Sequence, residues 1–231
     1  MDRVMREAGV QGEGARAIRR DAKSRRGFRF AAGCVGAWLV LNSGAALPAP
    51  GAPTEAVRST LNEAIRILTD EQLKKADRAQ ERRRLLEAVV GARFSYEEMA
   101  KRALARQWRK LSEQERREFV ELFKTLLTNS YADKIEGYSG ENVVYLSERR
   151  EGRYAEVRTK VVSEKLEIPL DYRLLLNAGT WRVYDVVVDG VSLVKNYRGQ
   201  FARIIRTSSY ADLVERLRKK VHKQPEQTDS P

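Results

Sequence analysis

The sequence predicts an α+β fold in which a helical half precedes a strand half, and three observations carry that order. Apolar residues recur at helical spacing through the first part of the chain, and from Asn142 the period changes to strict alternation. The third observation is the run Trp181 to Phe201, WRVYDVVVDGVSLVKNYRGQF, which reads as two apolar strands hinged at Asp189-Gly190 and followed by an aromatic, basic helix start. It is too apolar for a solvated hairpin and too interrupted for a membrane span. At 231 residues, 42% hydrophobic and 33% charged, the chain suits one globular domain plus ends of a different kind.

Residues 1–46 read as a cleaved export signal. A basic leader precedes an apolar run from Phe30 to Leu41, too short to span a bilayer, and the small residues Ser43 to Ala46 offer a cleavage site. Ser24-Arg25-Arg26-Gly27-Phe28 resembles the twin-arginine export motif, although Arg29 and Phe30 depart from its usual ending; the choice of export route stays open. Removing this segment takes away nine Lys/Arg and four Asp/Glu, leaving 35 against 28, so the net charge falls from +12 to +7. Cys34 leaves with it, and a mature chain without cysteine needs no disulfide. Residues 47–53, with three prolines, form an extended lead-in, and residues 223–231 a polar disordered tail.

Between them, from residue 54 to 222, the elements follow in order. Thr54 to about Lys75 sets Val57, Leu61, Ile65 and Leu68 on one helical face, and Arg78 to Gly91 repeats the pattern with Leu85, Leu86, Val89 and Val90. Ser95 to Glu98 and Ser112 to Glu115 both read as capping boxes, the second opening a helix with Phe119, Phe123, Leu126 and Leu127 as its apolar stripe. Tyr154 to Val161 alternates cleanly, with Glu156, Arg158 and Lys160 wet and Ala155, Val157, Thr159 and Val161 buried. Ile168 to Leu176 repeats this, and Asn177 to Thr180 supplies a turn. A short helix around Phe201 to Ile205 and an amphipathic one from Tyr210 to Val221 close the series.

Catalytic chemistry is poorly supplied, and no enzyme, cofactor or metal site is expected. The single histidine, His222, sits among lysines near the end, and no phosphate-cradling glycine loop follows a strand. Asp185 interrupts an apolar strand on the face expected to carry Val183 and Val187, which leaves two readings: a buried partner of an arginine, or a general base. The positive charge admits nucleic acid, an anionic membrane or an acidic partner. Arg82-Arg83-Arg84 and Lys219-Lys220 lie on helices whose other face is apolar, without interleaved aromatics, and nucleic acid is not expected.

The run from Trp181 resembles the C-terminal signature of the MlaC family, periplasmic phospholipid carriers, in which W-x-x-Y-D leads into G-V-S and an N-x-x-x-F helix. FSYEEMAKRALARQW from Phe94 and SEQERREFVELFKTLLTNSY from Ser112 resemble two of its helices, and the likeness covers roughly Glu55 to Val221. The resemblance implies a nuclear transport factor 2-like cone, a curved, mostly antiparallel sheet wrapped by helices around an apolar cavity. It also implies a phospholipid shuttle between outer and inner membranes, docking to an inner-membrane ABC transporter complex with an MCE subunit and to an outer-membrane lipoprotein complex. A hopanoid-associated HpnM branch is a relative, so another lipid, a lipid-directed enzyme or a structural adaptor stay open as alternatives.

Under that resemblance the acyl-chain contacts are expected at Val157, Val161, Tyr172, Leu174, Val183, Val187 and Val191 on the sheet. Met99, Leu104, Phe123, Leu127 and Phe201 are expected from the helices, with Arg102, Arg106 or Tyr145 near the head group. A monomer is expected, since no helix shows a heptad seam.

Overall fold

A proline opens the first described helix. Pro53 occupies its first turn, where a missing N–H costs nothing and the fixed φ already suits a helix. The computed structural model describes residues 51–164 and 166–222; the expected export signal, residues 47–50 of the lead-in and the tail over 223–231 lie outside the described residues. Among the described residues, α1 (Pro53–Thr69), α2 (Ala79–Arg93), α3 (Tyr96–Leu104) and α4 (Glu113–Glu136) precede the strands β1 (Asn142–Glu151), β2 (Tyr154–Val162), β3 (Glu167–Asn177), β4 (Thr180–Val188) and β5 (Val191–Ser192). Two helices follow, α5 (Leu193–Thr207) and α6 (Tyr210–His222). The five strands form one antiparallel meander in chain order.

Only one of the two expected capping boxes forms. Ser112 donates its N–H and hydroxyl to Glu115 at 2.7 and 2.8 Å, and its Oγ accepts from the Glu115 N–H at 3.3 Å. At Ser95 the backbone N–H instead donates to the Val183 carbonyl at 2.8 Å, beside a parallel bridge between Phe94 and Val183. With that donor satisfied, Glu98 turns to Arg102 at 2.8 Å. The sequence also holds a cap not anticipated, at Ser209, whose Oγ accepts from the Asp212 N–H and donates to its carboxylate.

Two hairpin turns carry consecutive residues with positive φ, Ala178 (45°) with Gly179 (76°) and Asp189 (49°) with Gly190 (77°), the type I′ geometry that matches strand twist. The strand expected after Gly190 is only two residues long. Ser192 ends it by capping α5, accepting from the Lys195 N–H at 3.0 Å, so the expected short helix at Phe201 is the C-terminal half of a fifteen-residue one. Val191 is consequently 41% exposed at the turn.

β4 also departs from simple alternation. Leu174 pairs with Val183 but Arg173 pairs with Asp185, so Tyr184 is an extra residue, a β-bulge. One added residue inverts the faces beyond it. Val186 and Val188 therefore oppose Tyr172 and Leu170 on the inner face, while Val187 shares the other face with Asp185, opposite Asp171 and Ser192.

Asp185 is 3% exposed and joins three elements. Its Oδ2 accepts from Arg173 of β3 at 3.1 Å and from the Ser192 hydroxyl at 2.6 Å, and its Oδ1 accepts from the Val194 N–H in the first turn of α5 at 3.1 Å. Of the two readings, the structure realises the buried arginine partner. Beyond this junction the helices own a separate core, in which Phe201 meets Phe119 and Phe123 edge-on at 5.6 and 5.5 Å, and Leu213 and Leu217 of α6 complete the packing.

Asp185→Ala should lower unfolding free energy by about 2–3 kcal/mol, because it strands a buried hydroxyl and N–H together, measured as a shift in the urea midpoint. Ser112→Ala should cost about 1 kcal/mol through its lost cap, and Ser95→Ala less than about half that. Equal losses for the two serines would contradict the hydrogen bonds described.

Candidate functional site

Val57, Leu61, Ile65 and Leu68, spaced to share one side of α1, do not interdigitate with the sheet along their whole length. The first half of α1 packs on it: Val57, with Ala56 and Leu61, belongs to the cluster of Val157, Leu174, Trp181 and Val183. Ile67 and Leu68 instead pack with Leu73, Leu86 and Tyr138, with no strand residue in that cluster. The helix therefore leaves the sheet toward its C-terminal end, and a cavity of about 540 Å³ opens beneath it.

Its walls are predominantly aliphatic. α1 supplies the four-residue stripe, α2 adds Leu86 and Val90, α4 adds Leu127, Tyr131 and Ile135, and the sheet adds Val161, Ile168, Leu170, Tyr172, Val183, Val186 and Val188. Burial, then the neighbouring Tyr197, pushes the Tyr131 phenol up to about 12, and burial likewise raises that of Tyr172. Both stay neutral at physiological pH. At the end of the sheet away from the Ala178-Gly179 turn the wall reaches the surface, where Leu166 is 55% exposed; Ile135 of the lining is exposed too.

The opposite end is bordered by a cation. Arg93, in the last turn of α2, donates from Nε to the Thr60 hydroxyl at 2.9 Å and from Nη1 to the Trp181 carbonyl at 2.8 Å, bridging α2, α1 and β4. Burial, and then the Arg182 charge, holds its pKa below the ordinary arginine value. Beyond it a second hollow of about 260 Å³ is lined by Gly51, Ala52, Ser59, Thr180 and Trp181.

Of the residues expected at the cavity, Met99, Leu127, Val161, Tyr172 and Val183 line it. The others lie elsewhere. Leu104, Phe123 and Phe201 lie within the helical core, Val157 and Leu174 are sealed in the core where α1 touches the sheet, Val187 faces away because of the bulge, and Val191 is on a turn. Nor do the expected head-group residues border it: Arg102 pairs with Glu98 and lies 4.0 Å over Tyr184, Arg106 is exposed, and Tyr145 stacks under Arg58. Arg93 was not anticipated. The only signal for it is an arginine directly before Phe94-Ser95, where a helix ends against a strand.

Among the described residues no helix is long and apolar enough to cross a membrane. The fold is similar to that of a solved phospholipid-binding protein from Ralstonia solanacearum in complex with a phospholipid, with a TM-score of 0.66 at 23% identity over 72% of this chain and 95% of that one. At the sequence level, 96 residues are 30% identical to the toluene tolerance protein Ttg2D of Pseudomonas putida, 41% of this chain and 45% of that protein. The chain thus spans less than half the length of the curated relative it matches. The family model for the MlaC protein matches residues 58–219, most of the described chain, and with it the expected resemblance becomes an assignment: this chain belongs to the MlaC family.

Proposed function

We propose that this protein is a periplasmic lipid carrier that holds the acyl chains of a phospholipid in the cavity under α1 and moves it between membranes in concert with an ABC transporter. The observation that carries this reading is the cavity itself, about 540 Å³ of chiefly apolar space between α1, α2, the sheet and the end of α4. Family membership supports it, as do the phospholipid in the Ralstonia solanacearum relative and the name of the Pseudomonas putida relative. Residues 1–46 would supply export and be removed.

The physics sets what such a carrier must do. Two chains with about 30 methylenes, at ~0.8 kcal/mol each, disfavour the bare lipid in water by some 25 kcal/mol. Desorption is slow unless those methylenes pass into a comparable enclosure. Neutral tyrosines and aliphatic walls meet that demand, whereas a catalytic reading lacks support: Asp185 does not line the cavity, and both of its oxygens are occupied within the fold.

Protein purified without harsh detergent from a Gram-negative host should carry lipid detectable by native mass spectrometry. Val161→Trp, which fills the cavity from β2, should cut that occupancy by at least half, at a folding cost of about 1–3 kcal/mol. Val144→Trp, on the exposed side of the neighbouring strand, should leave occupancy unchanged. Absence of lipid from the parent protein, or equal occupancy in both variants, would refute the proposal.

A further inference from the structure

Arg93 is an unusual group to find at the end of an apolar cavity. Its two hydrogen-bond acceptors are both neutral, the Thr60 hydroxyl and the Trp181 carbonyl, and neither offsets its charge. A half-buried guanidinium carries five N–H donors, of which these bonds use two. A neighbouring cation, Arg182, donates to the Ala92 carbonyl one residue away and adds to the positive potential. Across the sheet other arginines are matched: Arg158 and Arg173 with Glu156, Arg150 with Glu148, and Arg173 again with Asp185. Burying a cation without a counter-charge is costly, and the fold bears that cost at the one point where the apolar cavity meets the second hollow.

Position decides what the charge is for. Arg93 borders both spaces, so an anion resting on its unused donors would stand in the outer hollow among Ser59, Thr180 and the backbone of Gly51 and Ala52, while anything attached to it could run into the cavity. Glu55 also borders this hollow, but its carboxylate lies 4.0 Å from Arg58. We infer that Arg93 is an oxyanion site at the narrow end of the cavity, built to hold the phosphate of a lipid whose chains extend toward Ile135 and Leu166. The inference rests on the carrier reading and adds to it an orientation and a chemical requirement: the ligand must carry a phosphate-like anion as well as hydrocarbon. An Arg–phosphate contact in such a setting is geometrically selective, because the planar fork meets two oxygens at once.

The test is a loading competition between phosphatidylglycerol and diacylglycerol of identical chains, offered together in neutral detergent micelles and read by mass spectrometry of the retained lipid. The full chain should prefer the phosphate-bearing lipid by about tenfold, the advantage of a hydrogen bond to a charged group. Arg93→Gln, which preserves a donor for Thr60, should bring the ratio near unity, and Arg93→Lys, which preserves charge, should restore most of it. A ratio unchanged in Arg93→Gln would show that the residue only clamps α2 and would overturn the inference, whatever the loss of thermal stability. Equal loading of the two lipids by the parent protein would overturn this inference while leaving the carrier reading intact; no loading of either would remove both. Inorganic phosphate in excess should not change the ratio. If it raises the melting temperature of the parent protein but not of Arg93→Gln, and erases the lipid preference, the site serves free phosphate and the lipid-borne assignment is overturned.

Discussion

A protein that keeps a hole where its core would otherwise be needs another means of holding its layers together, and in this fold the Asp185 carboxylate is central to it. Its two oxygens bind β3, the β5 cap and the first turn of α5, so the sheet and the aromatic helical core stay in register although a cavity interrupts the apolar contact between layers. The Ser95 N–H to Val183 carbonyl bond and the Arg93 bridge act nearby in the same direction. All three are polar and short-ranged, and each is anchored to β4.

Such an arrangement divides the labour of stability. Close packing is concentrated where nothing needs to enter, in the cluster of Phe119, Phe123, Phe201 and their neighbours on α3 to α6. The cover, α1 and α2, is held at its ends: Trp181 donates from its indole to the Gly51 carbonyl and Thr54 binds Glu148 at one end, while Leu73 and Leu86 close the other. Past Leu61 the cover stands away from the strands, and apolar surface is left without protein to meet it.

Much of this was legible in the chain and some of it could not be. Periodicity located the helices and the alternation of β2, and the Asp189-Gly190 pair fixed a turn through its need for positive φ. The family signature anticipated the architecture. What local pattern cannot express is a single inserted residue: Tyr184 reverses the faces of β4, so Val187 was expected inward where Val186 and Val188 stand. Nor does apolarity distinguish a residue facing a void from one facing another side chain, which is why Phe123 and Phe201 were expected in the cavity and Leu61, Ile65 and Leu68 were read only as one apolar helical face. Ser95 shows the same limit for polar groups, since its partner lies eighty-eight positions away.

The meander itself has a kinetic consequence. Every strand pairs with its immediate predecessor through short turns, so the whole sheet can zip up from nearby contacts within microseconds of hairpin closure. The indole of Trp181 and the carbonyl of Gly51, by contrast, are separated by 130 positions, and their meeting closes a loop whose entropic penalty only an already assembled scaffold can offset. On this logic the concave surface exists before its roof arrives, and an emerging chain presents an unroofed, oily trough for a brief interval during maturation.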